Sequence, residues 1–414
     1  MRKSWSLLAV IAGAVPLCLA VVTGCVSIPS EPDPQALPSQ VFEQPLAAYR
    51  RVVDEGRSIA RSLVAQENLP GLSLAVAVEG KIVWAEGFRW ADMDKETPVT
   101  PATLFRIGGV SQALTAVAVG LLSDRARLDL DVPVQQYVPS FPEKEWPISA
   151  RQLMAHTAGI RPHRGEGGIF GGASCADDAQ RLAIFASDEL RFRPGAEYEY
   201  STYGWVLVGA VVSAAANEPY LDFIQREVLT PLGMESTVPD IAGNIEPGSA
   251  HFYYPRLMLN TRYGVHDAPT VDLSCHLPAV GFLSTPSDLV RLGSAMMDGH
   301  LLTPATAEEL QVPVGLASGE SSGQALGWVV NSVPMGVEGT PTRIVGLGLG
   351  EVVRRSTLSA QAVGVHVAGG TTSLMTVPEH RLAIAVATNV SGAENVSLLA
   401  IRLAEAFKSF LETR

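Results

Sequence analysis

The chain is poor in the residue patterns that hold metals and phosphates. Its eight histidines are scattered, no His-x-x-x-His or Cys-x-x-Cys spacing occurs, and no glycine-rich phosphate loop follows a strand-like run. No metal site and no cofactor are expected. Basic residues are also scarce: 30 Lys and Arg stand against 42 Asp and Glu, a formal charge of −12. That balance argues against nucleic acid, or an anionic membrane face, as a partner. Cysteines number four, and two of them fall in the first 25 residues. One pair therefore remains for the rest of the chain.

Those first residues read as a secretion signal. Met1-Arg2-Lys3 is basic, Leu7 to Val22 is apolar, and Val22-Thr23-Gly24-Cys25 follows. The run is too short and too lightly flanked for a mature membrane span. Its end resembles a bacterial lipobox, which implies removal of residues 1–24 and lipidation of Cys25; an ordinary signal peptide with a chance cysteine is the alternative. Acyl chains there would anchor the protein at about 0.8 kcal/mol per buried methylene. Loss of Arg2 and Lys3 takes the formal charge to −14. Residues 25–42 follow as a lipidated tether, and within them Ser27 to Gln40, rich in proline and serine, reads as an unfolded spacer. In an oxidising compartment Cys175 and Cys275 make a single disulfide plausible; two separate buried thiols are the other reading, and a separation of 100 residues does not decide between them.

From about residue 43 the composition is that of one globular domain. Ala47 to Glu67 has helical spacing, and Gly71–Val78 and Lys81–Phe88 are strand-like runs split by Glu79-Gly80-Lys81, a hairpin signal. At the other end Ala362–His366, Ser373–Val377 and Leu382–Thr388 read as strands, and Glu394–Leu411 as an amphipathic helix. The fold class is α/β (α+β), with one antiparallel sheet assembled from both ends of the chain and flanked by the N- and C-terminal helices. The sheet lobe covers about 43–105 and 335–414, and a mostly helical lobe, about 106–334, is inserted between them.

Leu104 to Asp124 is the organising stretch. Ala113, Leu114, Ala116, Val117, Val119, Leu121 and Leu122 leave little polar face, as in a helix buried inside a domain. Its start, Phe105-Arg106-Ile107-Gly108-Gly109-Val110-Ser111-Gln112, resembles the segment that delivers the nucleophile in serine β-lactamases and penicillin-binding proteins. That family carries Ser-x-x-Lys there, two residues on one helix face at which an amine primes a hydroxyl. Here the positions hold Gly109 and Gln112, so neither a nucleophile nor a titratable amine is present. Ser111, rotated by about 200° from Gly109, points away from that face.

Other stretches extend the resemblance over nearly the whole mature chain. Leu128–Pro139, Ile148–Ile160 with His156, Phe192–Thr202, Pro231–Thr237 and Ala279–Leu292 match family signatures in family order, on the branch of class C β-lactamases, D,D-peptidases and esterases. The resemblance implies a β-lactamase/transpeptidase-like fold over 43–414. It gives Tyr200 the role of moving protons, and it puts Thr202 where an asparagine would hold the substrate amide. It also aligns His366-Val367-Ala368 with a His-x-Gly strand, where the Ala368 methyl group would crowd a substrate at the strand edge. His156 takes a structural part at a helix end, and Gly165 to Gly172 forms a flexible flap beside the cleft. Nucleophile, lysine, asparagine and strand glycine have changed together.

The resulting expectation is a lipid-anchored envelope protein that is catalytically silent. It would retain a cleft for a peptidoglycan-related ligand or an envelope protein, on the outer membrane facing the periplasm if the host is Gram-negative. The alternative is an active serine hydrolase of esterase, β-lactamase or D,D-peptidase type with a nucleophile relocated to Ser111, Ser201 or Ser373; a third reading is a structural, filament-forming envelope protein.

Overall fold

The computed structural model describes residues 32–42, 46–163, 174–241, 247–257, 260–335, 339–347, 368–393 and 395–414. The signal, Cys25, the Gly165–Gly172 stretch, the strand expected at 362–366 and His366 lie outside the described residues.

One antiparallel sheet dominates. Its strands lie in the order Ser39–Val41, Lys81–Asp92, Gly71–Val78, Leu382–Thr388, Thr371–Val377, Thr340–Leu347 and Val329–Met335, with Thr97–Pro98 paired off the second. Both ends of the chain thus meet at its centre, where Leu382 to Thr388 pairs with Val78 to Leu72. The strand Val329–Met335 draws Val329 to Pro334 into the sheet from what the sequence assigns to the helical lobe.

The two central strands are buried on both faces, and their alternation sorts side chains by size. Leu72, Leu74, Val76, Leu382, Ile384 and Val386 point to one side, into a core shared with the N-terminal helix Arg50–Gln66 and the C-terminal helix Asn395–Glu412. Ala75, Ala77, Ala383 and Ala385 point to the other. A surface of methyl groups lets the helix Pro286–Asp298 approach closely: a Cβ on its Gly293 would stand 3.1–3.3 Å from Thr376, Leu374 and Ala383. The N-terminal helix buries Val52, Val53, Gly56, Ala60 and Val64, a stripe at three- and four-residue spacing. Its glycine is required, since a Cβ at Gly56 would lie 2.8 Å from the Trp84 ring.

Part of the expected tether is folded. Pro34–Ala36 makes a 3-10 turn capped by the Asp33 carboxylate, and Ser39–Val41 pairs as an edge strand with Phe88 to Glu86. The sequence shows no strand signal because the docking is made by a distant side chain: the Arg61 guanidinium donates to the Pro34 and Gln35 carbonyls and to Ser39 Oγ, while Leu37 enters the core.

The central helix runs from Ser111 to Asp124 and is buried along its first twelve residues, as its composition predicts. A 3-10 turn, Gly108–Val110, leads into it. Beside it stands the helix Thr202–Ala216, capped by Ser201 Oγ. Both pack against the short helix Leu277–Val280, where Thr115 Oγ1 donates to the Pro278 carbonyl at 2.7 Å. Cys175 and Cys275 are joined by a disulfide, S–S 1.99 Å, which fixes the turn Ser274–His276 just before that helix.

Candidate active site

Three of the altered positions converge. Gln112, in the first turn of the central helix, donates from Nε2 to the Tyr200 hydroxyl at 2.6 Å, and Tyr200 also shares a side-chain hydrogen bond with Thr202. The amide gives the phenol one neutral hydrogen bond. Burial holds the Tyr200 hydroxyl well above its ordinary range, so it stays protonated. Gly109 lies at the same helix start, in the 3-10 turn, and contributes no side chain.

His156 supports this arrangement from behind. It follows the helix Ala150–Met154 with a left-handed backbone (φ 58°), and its ring lies 4.4 Å from that of Tyr200. Its Nδ1 accepts the Ser201 N–H at 3.1 Å, and its own carbonyl accepts the Glu199 N–H at 3.0 Å. Burial lowers its pKa to about 3, so it is neutral and an acceptor. His156 is a positioning residue for the segment that carries Tyr200.

The neighbouring serines are buried. Ser201 Oγ donates to the Arg161 carbonyl and accepts the Gly204 N–H. Ser111 and Ser373 are fully buried, with hydroxyls that meet no partner. None of the three presents an oxygen to solvent.

Ala368 precedes the strand Thr371–Val377, and its side chain is fully buried within the core on the helical side. The segment is strapped down by a residue that no sequence motif singles out. Arg106 pairs with Asp240 (Nε to Oδ2, 2.6 Å), donates from Nη1 to the Ala368 carbonyl at 2.5 Å, and lies over the Phe252 ring at 4.3 Å. Its own carbonyl accepts from Thr372 Oγ1 at 3.0 Å. A Cβ at Gly370 would stand 2.8 Å from the Arg106 Cβ, so glycine is needed where the two segments touch. Arg106 and Asp240 are both more than nine-tenths buried, and breaking such a pair leaves a stranded charge. Asp240→Asn is expected to destabilise the fold by about 3–5 kcal/mol, and Asp240→Leu combined with Arg106→Met by much less. Urea midpoints of the single and double variants check this; equal losses in both would remove the coupling.

Elsewhere, a cleft of about 620 Å³ opens between residues 137–140, 176–182 and 210–221, with Leu182, Ala210 and Tyr220 among its lining. None of Gly109, Gln112, Tyr200 or Thr202 lines it. Among the described residues no cluster of three or more His, Cys, Asp or Glu is arranged to hold a metal, and no helix is long and apolar enough to cross a membrane.

The sheet, the buried helix and the residues at its start define the architecture of the serine β-lactamases and transpeptidases. The chain belongs to the Beta-lactamase family, which matches residues 57–407. It is 29% identical over 325 residues to the mitochondrial serine beta-lactamase-like protein LACTB of Bos taurus, covering 61% of this chain and 58% of that one. The chain therefore spans less than two thirds of this relative. Among solved structures, the octameric penicillin-binding protein homologue of Pyrococcus abyssi superposes with a TM-score of 0.68 at 22% identity, over 85% of this chain and 77% of that one. The D-amino acid amidase of Ochrobactrum anthropi SV3 gives 0.68 at 21% identity, over 87% and 99%. At those identities the structures speak for the fold alone.

Proposed function

We propose that this member of the β-lactamase-like serine hydrolase family no longer hydrolyses and acts by binding, held in the bacterial cell envelope by lipid on Cys25. The observation that carries the reading is the Gln112–Tyr200 hydrogen bond. An amide fills the position from which a lysine would prime the nucleophile, and the residue three before it is Gly109. The burial of Ser111, Ser201 and Ser373 supports it, with the Ser201 hydroxyl also bonded to the Arg161 carbonyl, since a nucleophile must reach the carbonyl it attacks. What remains at the site is a set of neutral donors and acceptors. Peptidoglycan peptides, rich in amides, or a protein of the envelope match such a set. If the host is Gram-negative, the protein faces the periplasm from the outer membrane.

The test uses a fluorescent penicillin and a fluorophosphonate, read by intact mass, beside hydrolysis of a chromogenic cephalosporin and a nitrophenyl ester. No adduct and no turnover are expected; stoichiometric labelling of any serine overturns the reading in favour of a relocated nucleophile. Gly109→Ser with Gln112→Lys restores the chemical pair but leaves Thr202, so slow labelling at position 109 at most is expected. Calorimetric titration with soluble peptidoglycan fragments tests the ligand class separately, and absence of heat would leave a protein partner as the object of binding.

A further inference from the structure

We infer that the face carrying Phe42, Leu46, Arg50 and Arg51 rests directly on the lipid bilayer, so that the domain is held against the membrane in one orientation. The inference rests on the lipid anchor proposed above.

Phe42 and Leu46 are 67% and 53% exposed, the two highest values among the large hydrophobic side chains described. A single apolar side chain in water is ordinary. These two lie four residues apart, and each is tied into the fold by its own backbone. The Phe42 N–H donates to the Ala85 carbonyl at 3.2 Å, continuing the edge strand, and the Leu46 carbonyl accepts the Tyr49 N–H at 2.8 Å. The side chains are therefore held outward from fixed points. Arg50 and Arg51 begin the N-terminal helix immediately afterwards and are exposed, and the Arg414 guanidinium lies over the Tyr49 ring at 5.2 Å. Exposed apolar side chains close in sequence to exposed guanidinium groups match the pattern of an interfacial surface, with apolar groups at the acyl boundary and cations at the phosphates.

Charge does not carry the docking by itself. Glu43, Asp54 and Glu55 offset the three arginines in sequence, and Asp54 is paired with Arg57. Apolar insertion is the main contribution, which agrees with the acidic character of the whole chain.

The tether selects the occupant. Because the chain is folded from Asp33 onward, only eight residue steps separate it from Cys25, a reach of about 28 Å. From Asp33 through the 3-10 turn and the edge strand to Phe42 is at most about 25 Å. An acyl group on Cys25 can thus reach the level of Phe42. A wholly unfolded tether of residues 25–42 would have left the domain free to turn.

The experiment uses the full chain purified from membranes and placed in vesicles of brominated phosphatidylcholine, with and without phosphatidylglycerol. Phe42→Trp supplies the reporter indole, and the emission of the unsubstituted chain is subtracted. Quenching of this indole by the brominated chains in both vesicle types is expected. Addition of Leu46→Ser should lower the ratio of docked to undocked reporter about tenfold. The mass of the peptide bearing Cys25 reads the anchor independently. Acylated Cys25 with an unquenched reporter overturns docking and leaves the anchor standing. Absence of acylation sinks the anchor, and vesicles then added to the chain decide docking: quenching keeps it, no quenching ends it. A concentration-dependent blue shift of the reporter in detergent would identify a second copy as the occupant and also overturn the inference.

Discussion

Acidification from neutrality to pH about 4 is expected to remove about 6 kcal/mol of stability, roughly half from each of two buried histidines. Burial lowers the pKa of His156 to about 3, and burial with the His163 ring nearby lowers that of His276 to about 4. In the unfolded chain both return to about 6.5. Between those values the unfolded state binds protons that the folded state refuses, so stability falls as pH falls through this window and is flat above it. Asp288, whose carboxyl is held above its usual range by burial, pulls the other way at the acid end. Urea midpoints at pH about 7 and about 4 measure the loss, and midpoints that stay level would refute it. His276→Leu sharpens the test. Both ring nitrogens of His276 are buried without a hydrogen-bond partner, so leucine should be neutral or stabilising at pH about 7 and should remove about half of the acid loss. His156→Gln removes a similar share but weakens the Tyr200 segment at every pH, because its ring accepts the Ser201 N–H.

The disulfide supplies the second large effect. Cys175 and Cys275 close a loop of 100 residues, for which the chain-entropy relation gives about 4.7 kcal/mol. Cys175→Ala with Cys275→Ala should lower the thermal midpoint by roughly 6 °C. Local consequences should follow the contacts. Cys275 sits in the turn before Leu277–Val280, and the Thr115 hydroxyl holds that helix to the central one through the Pro278 carbonyl. Amide exchange across 274–281 should therefore quicken before that of the sheet. A midpoint unchanged by the double substitution or by reductant would show that the bridge adds nothing to stability.

Local signals were legible. The hairpin of Gly71–Val78 with Lys81–Asp92, the strand Leu382–Thr388, the terminal helices and the buried central helix each announce themselves by periodicity within a few turns. That positions 109 and 112 hold a glycine and an amide is read directly from residue type. Features made by distant partners were not. Arg106 meets Asp240 across 134 positions, and no motif marks that aspartate. The edge strand at Ser39–Val41 is proline-flanked and three residues long, and it depends on Arg61 for its place. Ala368 reads as a strand-edge methyl by resemblance, and its side chain lies in the core while its carbonyl is held by Arg106. The bond between Gln112 and Tyr200 spans 88 positions and was foreshadowed only by resemblance.

That bond sets how any occupant of the site must be chosen. With an amide opposite a protonated phenol, and an imidazole that titrates only near 3, nothing at Gln112, Tyr200 or His156 gains or loses charge across ordinary growth conditions. Selection of an occupant there would fall to shape and to donor–acceptor matching, with little dependence on ionic strength or on acidity above pH about 4.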